Sequence, residues 1–195
     1  MTPFFQALEQ ADKTATLAIN SVHCPASDWV WTVFSDKEIW YVLYLAVVVF
    51  LFFRLGWKKA LAVTLSCILC VVACDQLGNV CKDFFARLRP CCDSEMTARG
   101  LYMLEGAGNL YGFYSAHAAN CMGFAVCSWL GMRNNGGKYR AYGICVTIWA
   151  ILVGLSRIFV GQHFLGDVLV GFAVGALIGF ILAKLCSLAI DKLKL

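Results

Sequence analysis

Five stretches of this chain, residues 39–53, 60–74, 118–132, 141–155 and 168–183, are almost wholly apolar. Each is somewhat short of the ~20 residues that a helix needs to cross the hydrocarbon core of a bilayer. Spanning helices must therefore be completed by flanking residues that are partly polar. For four of the five, that extension holds the unusual residues of the chain: Asp75 onward to Lys82, Tyr114 to His117, Ser156 with Arg157, and His163 to Asp167. The composition agrees, with 61% of 195 residues hydrophobic and 14% charged, against roughly 25% charged residues in soluble domains. The expected fold is an all-α integral membrane protein, a bundle of about five transmembrane helices with an N-terminal interfacial amphipathic helix.

Alternating the sides of the membrane gives the orientation. The loop "RLGWKK", the loop "RNNGGKYR" and the tail "KLCSLAIDKLKL" fall on one face and are rich in Lys and Arg, which assigns that face to the cytoplasm. The other face then holds the N-terminus, residues 76–113 and the short connection around Gly161, so every unusual polar cluster meets on the outer side. The expected location is the cytoplasmic (inner) membrane, with the site facing the periplasm or outside. The net charge of +4 is scattered, and with no basic stripe there is no ground for nucleic-acid binding.

The first twenty residues lack a basic n-region and a long apolar h-region, so they do not read as a cleaved signal peptide. Drawn as a helix, they place Phe4, Leu8, Ala11 and Ala15 on one side and Glu9, Asp12 and Lys13 on another, which suits a helix lying in the membrane interface. Most of the eleven cysteines sit inside apolar runs and behave there as small hydrophobes. Cys24, Cys81, Cys91 and Cys92 lie outside the runs and can pair on an oxidising side. No cysteine pattern has zinc spacing, so no metal site is expected. Gly171, Gly175 and Gly179 recur every four residues in the last run, a seam for close helix packing. The expected organisation is one membrane-embedded domain over 1–195. It has interfacial helices in 1–35, two transmembrane helices in 36–77, an outer-face segment in 78–113 and three transmembrane helices in 114–190.

Three polar clusters carry chemistry. In "KDFFARLRP", Lys82 and Arg89 are seven apart, two turns on nearly one helix face, with Pro90 stopping the helix after Arg89; taken alone, two such cations also fit snorkelling to headgroups. In "YSAHAAN", Ser115 is the expected N-cap of a helix whose first-turn N–H groups can hold an anion, and His117 sits in that turn. In "SRIFVGQHFLGD", His163 and Asp167 are i and i+4 and share a face. Asp167 can orient one ring nitrogen and leave the other free, the arrangement of an activated nucleophile. Arg157 ends the preceding helix. Ionisable groups at the rim of a membrane bundle are expensive and usually functional, and this set describes a pocket for a phosphate with a nucleophile and an acid beside it.

The order K-x6-R-P, S-x-H and S-R-x5-H-x3-D, carried by Lys82, Arg89, Pro90, Ser115, His117, Ser156, Arg157, His163 and Asp167, resembles the three-part signature of the type 2 phosphatidic acid phosphatase superfamily. The resemblance implies an integral-membrane lipid phosphatase that needs no metal ion or other cofactor. His163 would attack phosphorus and form a phosphohistidine, Asp167 would orient it, and His117 would protonate the leaving oxygen. Lys82, Arg89, Ser115, Ala116 and Arg157 would bind the phosphoryl oxygens. The family usually has P-S-G-H where this chain has Tyr114-Ser115-Ala116-His117, so Ala116 would serve through its backbone N–H.

The expected function is hydrolysis of a lipid phosphomonoester or pyrophosphate: undecaprenyl pyrophosphate, phosphatidic acid, phosphatidylglycerophosphate or lipid A. Membrane lipids and the lipid phosphate are the expected partners. The segment "CCDSEMTARGLYMLEGAGNLYGF" is expected to lie over the pocket and select among substrates. The competing expectation is a phospholipid-binding or transport protein that reuses the pocket without catalysis. Against transport, the charges gather at one end of the bundle, with Asp75 as the one outlier, rather than at the midplane.

Overall fold

The computed structural model describes residues 2–137 and 139–195. Lys138, part of the loop expected at the cytoplasmic face, lies outside the described residues. Among the described residues eight α-helices follow in order: α1 (Pro3–Asn20), α2 (Pro25–Ser35), α3 (Tyr41–Leu55), α4 (Trp57–Phe85), α5 (Ser94–Ala98), α6 (Ala116–Gly136), α7 (Arg140–Phe159) and α8 (Leu165–Leu193). A 3-10 turn at Pro90–Cys92 precedes α5. Among the described residues β pairing is confined to one bridge, Leu88 with Tyr111.

Three helices, α4, α7 and α8, are long and apolar enough to cross a membrane, and α3 is a shorter apolar helix. With 29 residues each, α4 and α8 extend about 43 Å at 1.5 Å per residue, well beyond a ~30 Å hydrocarbon core. The surplus of α4 lies on the side of the polar clusters, since α4 continues from Cys74 to Phe85, whereas that of α8 runs on to Leu193 at the opposite end. The first pair of long helices therefore ends at Phe85 instead of near residue 77. The helix α6 has 21 residues but is the least apolar of the long ones, because it is the central element. It packs against α3, α4, α7 and α8, and its Ala118, Ala119, Cys121, Phe124, Ala125, Cys127, Ser128 and Met132 are all buried. Bulky side chains such as Leu45, Leu65, Ile144 and Leu177 on the surrounding helices point outward, as a lipid-facing surface requires.

The packing of α8 on α6 is close because the glycine seam permits it. A Cβ at Gly175 would stand 2.2 Å from the Ala119 carbonyl oxygen, and one at Gly171 2.6 Å from that of Ser115. Replacing Gly175 by valine is expected to lower the thermal midpoint in detergent by forcing the two helices apart, at a cost of about 1–3 kcal/mol. An unchanged midpoint would mean that the seam does not hold the pair. Gly161, with φ of +79°, turns the chain between α7 and α8, and a Cβ there would meet the Tyr102 carbonyl oxygen at 3.1 Å.

The helix α1 docks with its polar face inward. Lys13, Thr16 and Asn20 are buried, while Phe4, Phe5 and Leu8 are exposed. Asn20 donates to the Tyr102 and Ile158 carbonyls and accepts from the Tyr102 N–H, and Lys13 pairs with Asp93 and Glu95. The apolar face is thus left for the membrane interface. All eleven cysteines are free thiols; of the four outside the apolar runs, Cys91 and Cys92 approach each other, with their sulfurs 3.9 Å apart.

Candidate active site

A cavity of about 650 Å³ runs from the outer ends of α4 and α6 down between α3, α4 and α6. Lys82, Arg89, Ala116, His117 and His163 stand at one end, and the wall continues through Val72, Ile68, Leu51 and Val48. Residues far apart in sequence meet here for local reasons. Ser115 caps α6, accepting from the Ala118 N–H, so the first-turn N–H groups of Ala116 and His117 face outward from the helix where its dipole favours an anion. Ala116 takes an ordinary helical conformation, since the non-glycine residues of positive φ are Ala86 and Lys194; alanine is no obstacle where the family usually has glycine. Tyr114, fully buried, donates to the Cys74 carbonyl at 2.8 Å and so ties the start of α6 to α4.

The first cluster is not one helix, contrary to the spacing argument. The helix α4 stops at Phe85, Ala86 adopts the left-handed conformation with φ of 44°, and the following residues are extended, bridged at Leu88 to Tyr111. Lys82 therefore comes from the helix and Arg89 from an extended segment. In that segment residues two apart share a face; Arg89 reaches the connection before α8 and Arg87 the first turn of α8. The Nη1 of Arg89 donates to Gln162 Oε1 at 2.7 Å, and Arg87 Nη1 donates to Asp167 Oδ1 at 2.6 Å.

His163 is 2% exposed and Asp167 fully buried. The imidazole Nδ1 faces Asp167 Oδ2 at 3.6 Å, a separation beyond a made hydrogen bond, and catalytic contacts of this kind commonly tighten when substrate binds. Asp167 Oδ2 accepts the Phe164 N–H at 3.1 Å. Burial pushes the His163 pKa down to about 4; Asp167 opposes this and Arg89 and Arg157 reinforce it. The ring is therefore neutral at physiological pH, and with Nδ1 turned to Asp167 its Nε2 is the free nitrogen.

The remaining candidates stand differently. Arg157 is buried and engaged: its Nη1 donates to Ser35 Oγ and to Glu105 Oε2, the latter at 3.2 Å, while its Nε lacks a partner. Ser115 lies beneath the cavity as a cap. His23 stacks on Tyr102 with ring centroids 3.8 Å apart, away from the cavity lining. Sequence reasoning missed Arg87, Gln162, Glu105 and Asp12; the one available signal was the i, i+2 spacing of Arg87 and Arg89 before a proline. The outer-face segment does cover the site, with Asn109 in the cavity wall and the Gly106 carbonyl accepting from Gln162 Nε2 at 2.8 Å. Among the described residues no group of three or more His, Cys, Asp or Glu is placed to hold a metal ion.

A neutral imidazole backed by a carboxylate, with cations and helix N–H groups around one end of an apolar cavity, can carry out nucleophilic attack on a phosphoryl group. Comparison with known proteins gives the family. The family described as the PAP2 superfamily matches residues 55–190. The lipid A 4'-phosphatase of Porphyromonas gingivalis is 32% identical over 178 residues, covering 90% of this chain and 72% of that protein. The lipid A 4'-phosphatase of Bacteroides thetaiotaomicron is 29% identical over 176 residues, covering 89% and 76%. Among solved structures, the transmembrane PAP2-type phosphatidylglycerolphosphate phosphatase of Bacillus subtilis superposes with a TM-score of 0.72 at 22% identity, over 92% of this chain and 86% of that one. LpxE of Aquifex aeolicus does so with 0.67 at 24%, over 88% and 93%.

Proposed function

The chain belongs to the PAP2 superfamily and is a membrane lipid phosphatase, and we propose that it removes a phosphate from a lipid A-type glycolipid through a phosphohistidine on His163. The observation that carries this reading is the neutral His163, backed by Asp167, at the polar end of a cavity whose other walls are apolar. The phosphate would sit among the cations while acyl chains lie between α3 and α4. His163 Nε2 forms a bond to phosphorus as the bond to the lipid oxygen breaks, and His117 passes a proton from the bound phosphate monoanion to that oxygen. Neutral His117 then takes a proton from water, which attacks phosphorus and releases the histidine. Lys82, Arg89 and the N–H groups of Ala116 and His117 stabilise the charge on the phosphoryl oxygens.

Two observations favour a sugar-bearing lipid over a prenyl one. The two bacterial relatives aligned above are named lipid A 4'-phosphatases. The cavity wall below the cations also carries Asn120, Asp75 and Asn79, and Asn120 Oδ1 is buried without a partner. A hydroxyl or amide donor of an acylated amino sugar would satisfy Asn120 Oδ1, whereas a prenyl chain would leave it unpaired, at about 1–3 kcal/mol. The site is proposed to face the periplasm from the inner membrane, since the loops rich in Lys and Arg lie at the opposite end.

Phosphate release by purified protein in detergent, with EDTA, tests the reading across a lipid A, undecaprenyl pyrophosphate, phosphatidic acid and phosphatidylglycerophosphate. Fastest release from lipid A that survives EDTA is expected; release confined to another lipid would reassign the substrate. Arg157 must exchange a partner to reach phosphate. Glu105→Gln, which weakens the contact that holds it, is expected to lower KM about three- to ten-fold. A raised KM would mean that Glu105 positions Arg157 instead of competing with substrate.

A further inference from the structure

The start of α8, which carries Asp167, has no side-chain cap of its own. Its first N–H groups are satisfied by α1. The Leu165 N–H donates to Thr16 Oγ1 at 2.9 Å, and the Gly166 N–H donates to Asp12 Oδ1 at 2.8 Å, across 149 and 154 residues of sequence respectively. The other oxygen of Asp12 accepts from Arg87 Nη2 at 2.7 Å, and the second arm of that guanidinium grips Asp167 Oδ1 at 2.6 Å. Arg87 also lies over the Phe164 ring, 4.2 Å from its centroid, and Phe164 is buried beside His163. A planar fork fixed at both ends and stacked on a ring has no freedom to swing.

We infer that α1 is part of the catalytic apparatus: Asp12 and Arg87 are positioning residues that fix Asp167, and through it His163, by a continuous chain of contacts from the interfacial helix to the nucleophile. The inference rests on the reading of His163 as the nucleophile. Arg87 occupies one oxygen of Asp167 and the Phe164 N–H the other, so the carboxylate cannot rotate away from the imidazole. Burial works against the charge on Arg87, yet Asp167 and Asp12 together hold its pKa above the usual guanidinium value. The fork therefore stays charged under all working conditions. Its charge also offsets that of Asp167, which would otherwise draw a proton onto His163. The groups facing the imidazole from each packed element are Asp167 of α8, Arg157 of α7, His117 of α6 and Arg89 of the extended segment; Arg87 and Asp12 stand behind Asp167.

The test uses full-length protein in micelles with isotope-labelled histidine, and with three histidines in the chain the His163 signal is assigned by its loss in His163→Ala. In the wild type the imidazole is expected to stay neutral down to about pH 4. Arg87→Gln removes the offsetting charge, so His163 is expected to titrate about one unit higher or more. Arg87→Lys keeps the charge but loses the planar two-armed fork stacked on Phe164, so it cannot hold Asp12 and Asp167 in one fixed geometry. There the titration should stay near that of the wild type, while kcat on a lipid phosphate falls about 10–100-fold at nearly constant KM, the usual range for lost support of a first-tier group. Asp12→Ala should lower kcat about ten-fold in the same way. An unmoved His163 titration in Arg87→Gln, or kcat preserved in Arg87→Lys and Asp12→Ala, overturns the inference. Should the wild type release no phosphate from any lipid, the proposed function fails, and the imidazole titration alone still decides whether Arg87 and Asp12 govern His163.

Discussion

Replacing His163 by alanine is expected to reduce phosphate release by roughly 10⁴-fold or more, the scale seen when a nucleophile that acts as a unit with its partners is removed. The size of the loss follows from the site. His163 is the histidine whose Nδ1 faces a carboxylate, at 3.6 Å, and its neutral state is secured by burial and by Arg89 and Arg157. The sign of the pH effect is fixed by the same shift. An imidazole with its pKa held near 4 stays largely neutral between pH 7 and pH 5, so any loss of rate in that interval is expected to come from another group. The fold should tolerate the change, because His163 sits in a connection and not in the helix packing; circular dichroism and thermal unfolding of the variant check this. A His163→Ala protein with more than a few per cent of wild-type rate would remove the nucleophile from the scheme.

Replacing His117 by asparagine is expected to cost about 10²–10⁴ in rate on a lipid phosphate, the usual contribution of a positioned acid–base. His117 opens α6 in the cavity wall, beside the N–H groups proposed to bind the phosphoryl oxygens. A lipid alkoxide is a poor leaving group and needs its proton; an aryl phosphate with an acidic phenol does not. In the asparagine variant an activated aryl phosphate should therefore still form the phosphoenzyme, which then waits for a base to activate water. Rapid-quench kinetics should give a burst of phenol followed by a slow steady state. Equal losses on both substrates with no burst would mean that His117 serves only to shape the pocket.

The sequence carried the membrane class and the convergence of polar residues on one side, because both depend on period and order alone. The pairing of His163 with Asp167 was equally legible, since i and i+4 on a helix face are neighbours whatever surrounds them. The extended conformation before Pro90 was not. A spacing of seven from Lys82 to Arg89 fits two helical turns, but a left-handed Ala86 and a bridge from Leu88 to Tyr111 end the helix at Phe85, and such a bridge depends on a residue 23 positions downstream. The central place of α6 was illegible for a related reason: small and polar residues in a long helix signal burial among other helices only once those helices are known. The amphipathic reading of α1 found the right faces and left open what the polar one does. Its partners, Arg87, Glu95, Tyr102 and the start of α8, all lie far away in the chain.

The most direct measurement of the central claim is chemical trapping of the intermediate. Protein incubated briefly with lipid A labelled at its phosphate is quenched in alkali and digested, and the labelled peptide is sequenced. A label that is stable to alkali, labile to acid and located on His163, and that chases into free phosphate, is the expected result. A label on another residue, or turnover with no protein-bound phosphate at any quench time, would contradict a phosphohistidine mechanism at this site.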